Sequence, residues 1–209
     1  MVRQRVRIRF RKEQDLRLIG HHDLARAWER IFRRAGVALR MSEGFHPKPR
    51  MVFASALAMG VIGADEVLDV ELADAWSVEQ LRPALTARLL DGLSIKSLEI
   101  LPADAPRSRV ERVTYALTVP AERRAALAER LHGSPLAPLG GPLAPQAEPR
   151  RGPVGFVEQI ELTGDRLQFT ARVTPQGTTR PRELLAWLGL DDLDEQGVYL
   201  TRTTVELAT

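Results

Sequence analysis

The sequence contains no cysteine, which excludes disulfides, thiolate zinc sites and cysteine-bound iron–sulfur clusters. Aromatic residues make up only 5% of it, so a nucleic-acid surface would work through backbone contacts more than base stacking. No apolar run approaches the ~20 residues of a membrane helix. The stretch MVRQRVRIRF alternates arginine with apolar residues, where a signal peptide carries a continuous apolar core. Glycine-rich phosphate motifs and the Gly-x-Ser-x-Gly nucleophile elbow are both missing. These absences predict a cytoplasmic protein with no membrane partner. Acidic residues are scarce in residues 1–50, which hold 14 Lys and Arg against 5 Asp and Glu, a net +9; the remainder holds 16 against 22, a net −6. A basic front on a mildly acidic body predicts a localised anionic partner.

Within that basic front, Leu24, Ala27, Trp28, Ile31, Phe32 and Ala35 recur at helical spacing. Arg26, Arg30, Arg33 and Arg34 fall largely off this apolar face, and Gly36 supplies a stop. Residues 42–49, Ser-Glu-Gly-Phe-His-Pro-Lys-Pro, are too broken by Gly and Pro for regular structure and read as a stiff basic loop. Upstream, Val6, Ile8 and Phe10 alternate with Arg5, Arg7, Arg9 and Arg11, a strand with one buried face. Its other face becomes a ladder of arginines ~6.6 Å apart, close to the phosphate spacing of a single nucleic-acid strand. The competing reading packs the two half-sheets together or pairs those arginines with the acidic strand that carries Asp69 and Glu71.

Further strands are predicted over 51–55, 66–72 and 93–101, and a helix from Ser77, whose capping box with Gln80 is followed by Pro83. Residues 113–119, a helix from Pro120 ending near Gly133, strands 157–162 and 166–173 about Gly164-Asp165, a short helix from Pro181 stopped by Gly189, and a strand over 198–207 repeat the order. The prediction is therefore an α+β protein of two tandem ferredoxin-like (βαββαβ) units. Domain boundaries fall at 1–101 and 110–209, with an exposed linker at 102–107. A Pro/Gly-rich segment, 134–153, reads as a flexible insertion in the second unit.

The segments LRLIGHHDLARAWERIFRRAG, MSEGFHPKPRMVFASAL, RPRELLAWLG and TRTTVEL resemble the radical S-adenosylmethionine-linked protein family of bacteria. Members of that family occur fused to, or encoded beside, radical S-adenosylmethionine enzymes. The likeness rests on His21, Asp23, Leu24, Arg26, Ala35, Gly36, Ser42, Gly44, Phe45, Pro47, Pro49, Phe53 and Gly60; Gly20 stands where the pattern usually has Ser. It implies a radical S-adenosylmethionine enzyme as partner. With no cysteine here, the iron–sulfur cluster and S-adenosylmethionine belong in that separate protein, and this chain holds no cofactor of its own.

The expected function is an RNA-binding accessory protein serving a radical S-adenosylmethionine RNA-modifying enzyme in trans, with tRNA or rRNA as the RNA. Binding would use Arg5, Arg7, Arg9, Arg26, Arg30, Arg34, Lys48 and Arg50, with Phe45 and His46 contacting a base or substrate. A stand-alone RNA-processing enzyme would instead draw on His21, Asp23 and His46, and a third reading is a scaffold that docks the partner enzyme. His21 and Asp23 also suit a helix start, where Asp meets exposed amides and the positive dipole end. A metal site from His21, His46, Asp23 and Glu43 lacks diagnostic spacing, and no metal is expected. Glu66, Asp69, Glu71 and Asp74 read as the solvated face of a strand. The 42–49 loop is expected to lie beside the His21–Asp23 helix start in one shared site edged by Arg26.

Overall fold

The computed structural model describes residues 4–132 and 155–208. The predicted helix end at Gly133 and the 134–153 insertion lie outside them. The described chain is a mixed α+β fold of eight strands and four helices, dividing into two compact units, Met1–Arg109 and Val110–Thr209. No helix among the described residues is long and apolar enough to cross a membrane.

In the first unit, β1 (Gln4–Lys12) is followed by a 3-10 turn (Gln14–Leu18), α1 (His21–Arg34), β2 (Met51–Phe53), β3 (Ile62–Leu72), α2 (Val78–Thr86) and β4 (Leu93–Leu101). The strands pair antiparallel in the order β4-β1-β3-β2. Alternation along β1 sends Val6, Ile8 and Phe10 to one face, where they pack with Leu68, Val70 and Leu72 of β3. Helix α1 lays Leu24, Trp28, Ile31 and Phe32 on that face, and α2 adds Leu81 and Leu85. Each such side chain contributes about 2 kcal/mol on leaving water. Phe10 meets Trp28 edge-on at 5.1 Å between ring centroids, which fixes where α1 crosses the sheet.

The helix boundaries follow from local chemistry. Gly36 takes φ +72°, while the amides of Gly36 and Val37 donate back to the carbonyls of Arg33 and Phe32, closing α1 in a Schellman turn. The Ser77 hydroxyl accepts from the Gln80 amide and the Gln80 side chain accepts from the Ser77 amide, the predicted capping box of α2. Pro83 lies inside α2 without breaking it; the helix ends within a turn, at Thr86. Residues 102–104, 106 and 107 are exposed, as the two prolines of this linker require.

Two charged residues of the first unit are buried on the core side, contrary to a solvated reading of the acidic strand. Lys12 donates its Nζ to the carbonyls of Ile19 at 2.9 Å and Arg17 at 3.4 Å, tying down the 3-10 turn. Glu66, opposite Phe10, is buried too, its carboxylate lying over Gly63, the cross-strand partner of Lys12.

The second unit runs β5 (Val110–Thr118), α3 (Ala121–His132), β6 (Val157–Thr163), β7 (Arg166–Arg172), α4 (Pro181–Leu188) and β8 (Thr201–Leu207), with strand order β8-β5-β7-β6. Gly164, φ +62°, begins the two-residue turn between β6 and β7. Tyr115 stacks on its cross-strand partner Phe169 at 5.0 Å. Arg130 of α3 donates to the Trp187 carbonyl at 3.0 Å, placing a cation on the C-terminal end of α4.

Candidate nucleic-acid interface

The arginine ladder of β1 turns away from the core as its alternation dictates, but it is not an open cationic face. Side-chain exposure is only 13% for Arg5, 19% for Arg7 and 29% for Arg9. Arg7 is bonded through two nitrogens to its cross-strand partner Asp69. That hydrogen bond holds the Arg7 guanidinium above its ordinary pKa, against the opposing effect of burial. Arg9 pairs with Asp65, which also takes Lys96 of β4 at 2.6 Å. Arg5 donates to the carbonyls of Ala105 and Pro106 in the linker, and its nearest carboxylate is Asp69 at 3.9 Å. The expectation of exposed Arg5, Arg7 and Arg9 is thus corrected: Asp69 of β3 lies opposite Arg7, Asp65 of the same strand reaches Arg9 diagonally past Val67, and the linker caps Arg5. Asp69, expected to be solvated, is buried by the same pairing. The second unit repeats the device, with Glu158 bonded to both Arg112 and Arg172. The Glu158 bond likewise raises the pKa of Arg112.

Exposed positive charge lies instead on α1. Arg26, Arg30, Arg33 and Arg34 are all exposed. Arg26, Arg30 and Arg34 follow at one-turn intervals of ~6 Å along the axis. Arg26 is within 3.5 Å of Asp23 in an open (i, i+3) pair worth a few tenths of a kcal/mol at most. Among the described residues, Arg30, Arg33 and Arg34 have no carboxylate within salt-bridge distance.

The stretch after α1 forms the most unusual backbone feature of the first unit. The Arg40 amide donates to the Glu71 carbonyl at 2.8 Å, and the Glu71 amide donates to the Arg50 carbonyl at 2.9 Å. Arg40 and Arg50 therefore share one rung of the β3 ladder, and the Arg50 amide closes the gap by donating to the Arg40 carbonyl at 2.8 Å. Leu39 faces Leu72 and Met51 faces Val70. The ladder thus advances two rungs while the chain advances twelve residues, and the surplus ten form a lobe hung from the sheet edge.

The neck of the lobe is held three ways. The Ser42 amide donates to the Lys48 carbonyl at 2.8 Å, the Lys48 amide donates to the Ser42 hydroxyl at 2.9 Å, and Met41 bridges to Pro49. The Glu71 carboxylate lies 3.2 Å from Arg40 and 4.0 Å from Arg50. Arg50, expected as an RNA contact, is in this way partly committed to the neck. Gly44 at φ +118° turns the tip through a conformation closed to other residues. Beyond it Phe45, His46, Pro47 and Lys48 all face solvent.

Among the described residues, no hydrogen bond, ion pair or ring contact links the lobe to the helix start. His21 packs edge-on against Phe53, with ring centroids 5.0 Å apart. Phe53 pairs with Leu68, three residues along β3 from the Glu71 rung that carries the lobe, or ~10 Å of strand. The lobe follows the C-terminal end of α1, whereas His21 and Asp23 begin that helix. Among the described residues, no hydrogen bond, ion pair or ring contact joins His46 to either of them, and no group of His, Asp and Glu is arranged to hold a metal. The Ser42 hydroxyl is occupied by the Lys48 amide. Sequence reasoning missed Arg40, Glu71 and Lys12 as structural residues. The clue to the lobe was that residues 37–39 and 51–53 are both apolar edge segments on either side of the Gly/Pro run.

Comparison with known proteins comes down to one family. The family model described as an uncharacterized protein conserved in bacteria, DUF2344, matches residues 5–134. The chain belongs to this family. The matched stretch takes in β1, both helices of the first unit and the lobe. No curated protein matches. An unknown protein from Galdieria sulphuraria is similar at 13% identity and a TM-score of 0.30, with all of both chains covered. The acetolactate synthase small subunit from Thermotoga maritima is similar at 10% identity and a TM-score of 0.30, covering 100% of this family member and 99% of that chain. Likenesses this slight carry no argument about fold or activity.

Proposed function

We propose that this protein is an RNA-binding accessory protein, built from two ferredoxin-like units, that serves a radical S-adenosylmethionine RNA-modifying enzyme in trans. The strand order in each unit, fourth-first-third-second, supports the ferredoxin-like reading. The observation that carries RNA binding is the exposed Arg26–Arg30–Arg34 stripe on α1 followed by the basic lobe. From Arg34 to Arg40 is six residues, so the lobe's neck lies within ~21 Å of the stripe's end. A strand of several nucleotides can engage both. Phosphate contacts then come from Arg26, Arg30, Arg33, Arg34 and Lys48, without the paired residues Arg5, Arg7 and Arg9. The partner enzyme, with tRNA or rRNA as its substrate, is drawn from the resemblance. Among the described residues, no hydrogen bond, ion pair or ring contact joins His46 to His21 or Asp23, so no observation favours the stand-alone enzyme reading.

The test is fluorescence anisotropy of the protein with labelled bulk tRNA and a ten-nucleotide RNA, at rising salt. Arg30→Glu with Arg34→Glu should weaken binding at least tenfold and flatten the salt dependence, with an unchanged melting temperature. Retention equal to wild type would overturn RNA binding. Reconstitution with a radical S-adenosylmethionine enzyme encoded beside this chain tests the second half: modification yield should require the wild-type protein and fall with the double variant.

A further inference from the structure

The tip of the lobe carries a phenyl ring that nothing in the unit touches. Phe45 is 103% exposed, its ring as open to water as in an isolated extended segment. A single exposed apolar residue is unremarkable on a mobile loop. This one stands on an unusually constrained support. Gly44 permits the positive-φ turn before it, and Pro47 and Pro49 fix two backbone angles after it. The Ser42–Lys48 clasp closes the neck, and Glu71 gathers Arg40 and Arg50 at its root. The ordering cost of presenting the ring has largely been met before any ligand arrives, which favours a binding role over a bystander.

The surroundings of the ring select the ligand. His46 and Lys48 flank it in the open, against the single acid Glu43, and the exposed arginines of α1 lie upstream. A flat apolar face set among cations matches a nucleotide, whose base offers a π-face and whose phosphate offers negative charge. A base locked in a duplex keeps both faces stacked on its neighbours, so a projecting ring reaches only an unpaired one. We infer that Phe45 is a stacking platform for one unpaired base of a single-stranded RNA segment whose phosphates run along α1. The inference rests on the RNA-binding reading above and adds to it a single-strand preference and a defined base contact.

The experiment uses the full chain and three ten-nucleotide RNAs: a single strand, the same strand in a duplex, and the same strand with its bases removed to leave abasic sites. Wild type should prefer the intact single strand to the other two by about tenfold, within the range that one base–aromatic stack contributes. Phe45→Ala should bind all three RNAs about equally, at the level that wild type shows for the abasic strand. Phe45→Trp should restore the preference, because it restores a ring. Phe45→Leu should not, although it keeps the apolar bulk. Since the side chain is fully exposed, none of these changes threatens the fold.

If Phe45→Ala binds the intact single strand as wild type does while Arg30→Glu/Arg34→Glu loses binding, the stacking inference is overturned and RNA binding stands. If Phe45→Leu matches wild type, the ring is a general apolar anchor, such as one for a protein pocket, and the inference is overturned. If wild type retains none of the RNAs, both readings are overturned.

Discussion

Arg7 and Asp69 meet edge to edge across opposed rungs of β1 and β3, Nε to Oδ1 at 2.8 Å and Nη2 to Oδ2 at 2.9 Å. Both side chains are mostly covered, so the pair is screened less than a surface salt bridge. Removing one partner leaves the other poorly solvated. Asp69→Ala should cost about 2–3 kcal/mol in urea unfolding, and Arg7→Met less, because Asp69 keeps Arg5 at 3.9 Å. Arg7→Glu should lower the melting temperature through like-charge contact with Asp69 while leaving the RNA affinity of the folded fraction unchanged. A variant that stays fully stable but loses RNA would return the ladder to the binding surface.

Two glycines with similar backbone angles separate strain from collision. Gly36, φ +72°, has nothing within 4 Å of where a Cβ would sit. Gly36→Ala should therefore cost about 1 kcal/mol, the left-handed penalty alone. Gly92, φ +84°, would place its Cβ 2.5 Å from the Glu13 carbonyl oxygen, beside the hydrogen bond that the Glu13 amide makes to Gly92. Gly92→Ala should cost about 3 kcal/mol, as strain and clash combine. Equal losses in the two variants would mean that the Glu13 segment yields freely.

Gly20 caps α1 with extended angles and no side chain to accept a hydrogen bond. A Cβ there would meet only the Met59 sulfur, at 3.9 Å. Gly20→Ser should thus stabilise the protein by about 0.3 kcal/mol, read as a rise of ~1 °C in melting temperature. A fall would show that the helix start needs the glycine for another reason.

In the first turn of α2, hydrogen bonds from its own backbone amide and then from the Ser77 side chain hold the Glu79 carboxyl below the usual carboxylate range. A depressed carboxyl contributes its stability above the unfolded pKa and loses it as pH falls through the folded value. Titration of the Glu79 side chain by NMR should give a higher pKa in Ser77→Ala than in wild type, with the helix less protected at the same acidic pH. An identical pKa in both would remove Ser77 from the account.

What could be read from the sequence follows the range of the forces involved. Helix α1 was legible because Leu24, Trp28, Ile31 and Phe32 repeat within a few residues of one another, and the capping of α2 lies within four. The alternation of β1 says which way Arg7 turns, but what it meets depends on the register of a strand some sixty residues away. Arginine and aspartate were each visible, and their pairing was one of the readings left open, which only the strand register decides. The same distance hid the lobe's anchorage: Gly44, Pro47 and Pro49 announce a loop, yet Glu71 joins its two ends. His21 and His46 looked like neighbours because one helix and one turn separate them. Helix α1 leads away from His21 and β2 leads back to it through Phe53, so whether the two rings meet depends on contacts across the sheet edge rather than on sequence spacing.

The rung shared by Arg40 and Arg50 makes the lobe detachable. Excising residues 41–50 would let Arg40 run directly into Met51, with Arg40 opposite Glu71 and Met51 opposite Val70 as in any uninterrupted edge strand. No core residue leaves with it, since none of the ten is buried. The ten residues are a cassette: a contact surface that can be lengthened, exchanged or dropped while the sheet beneath keeps its pairing.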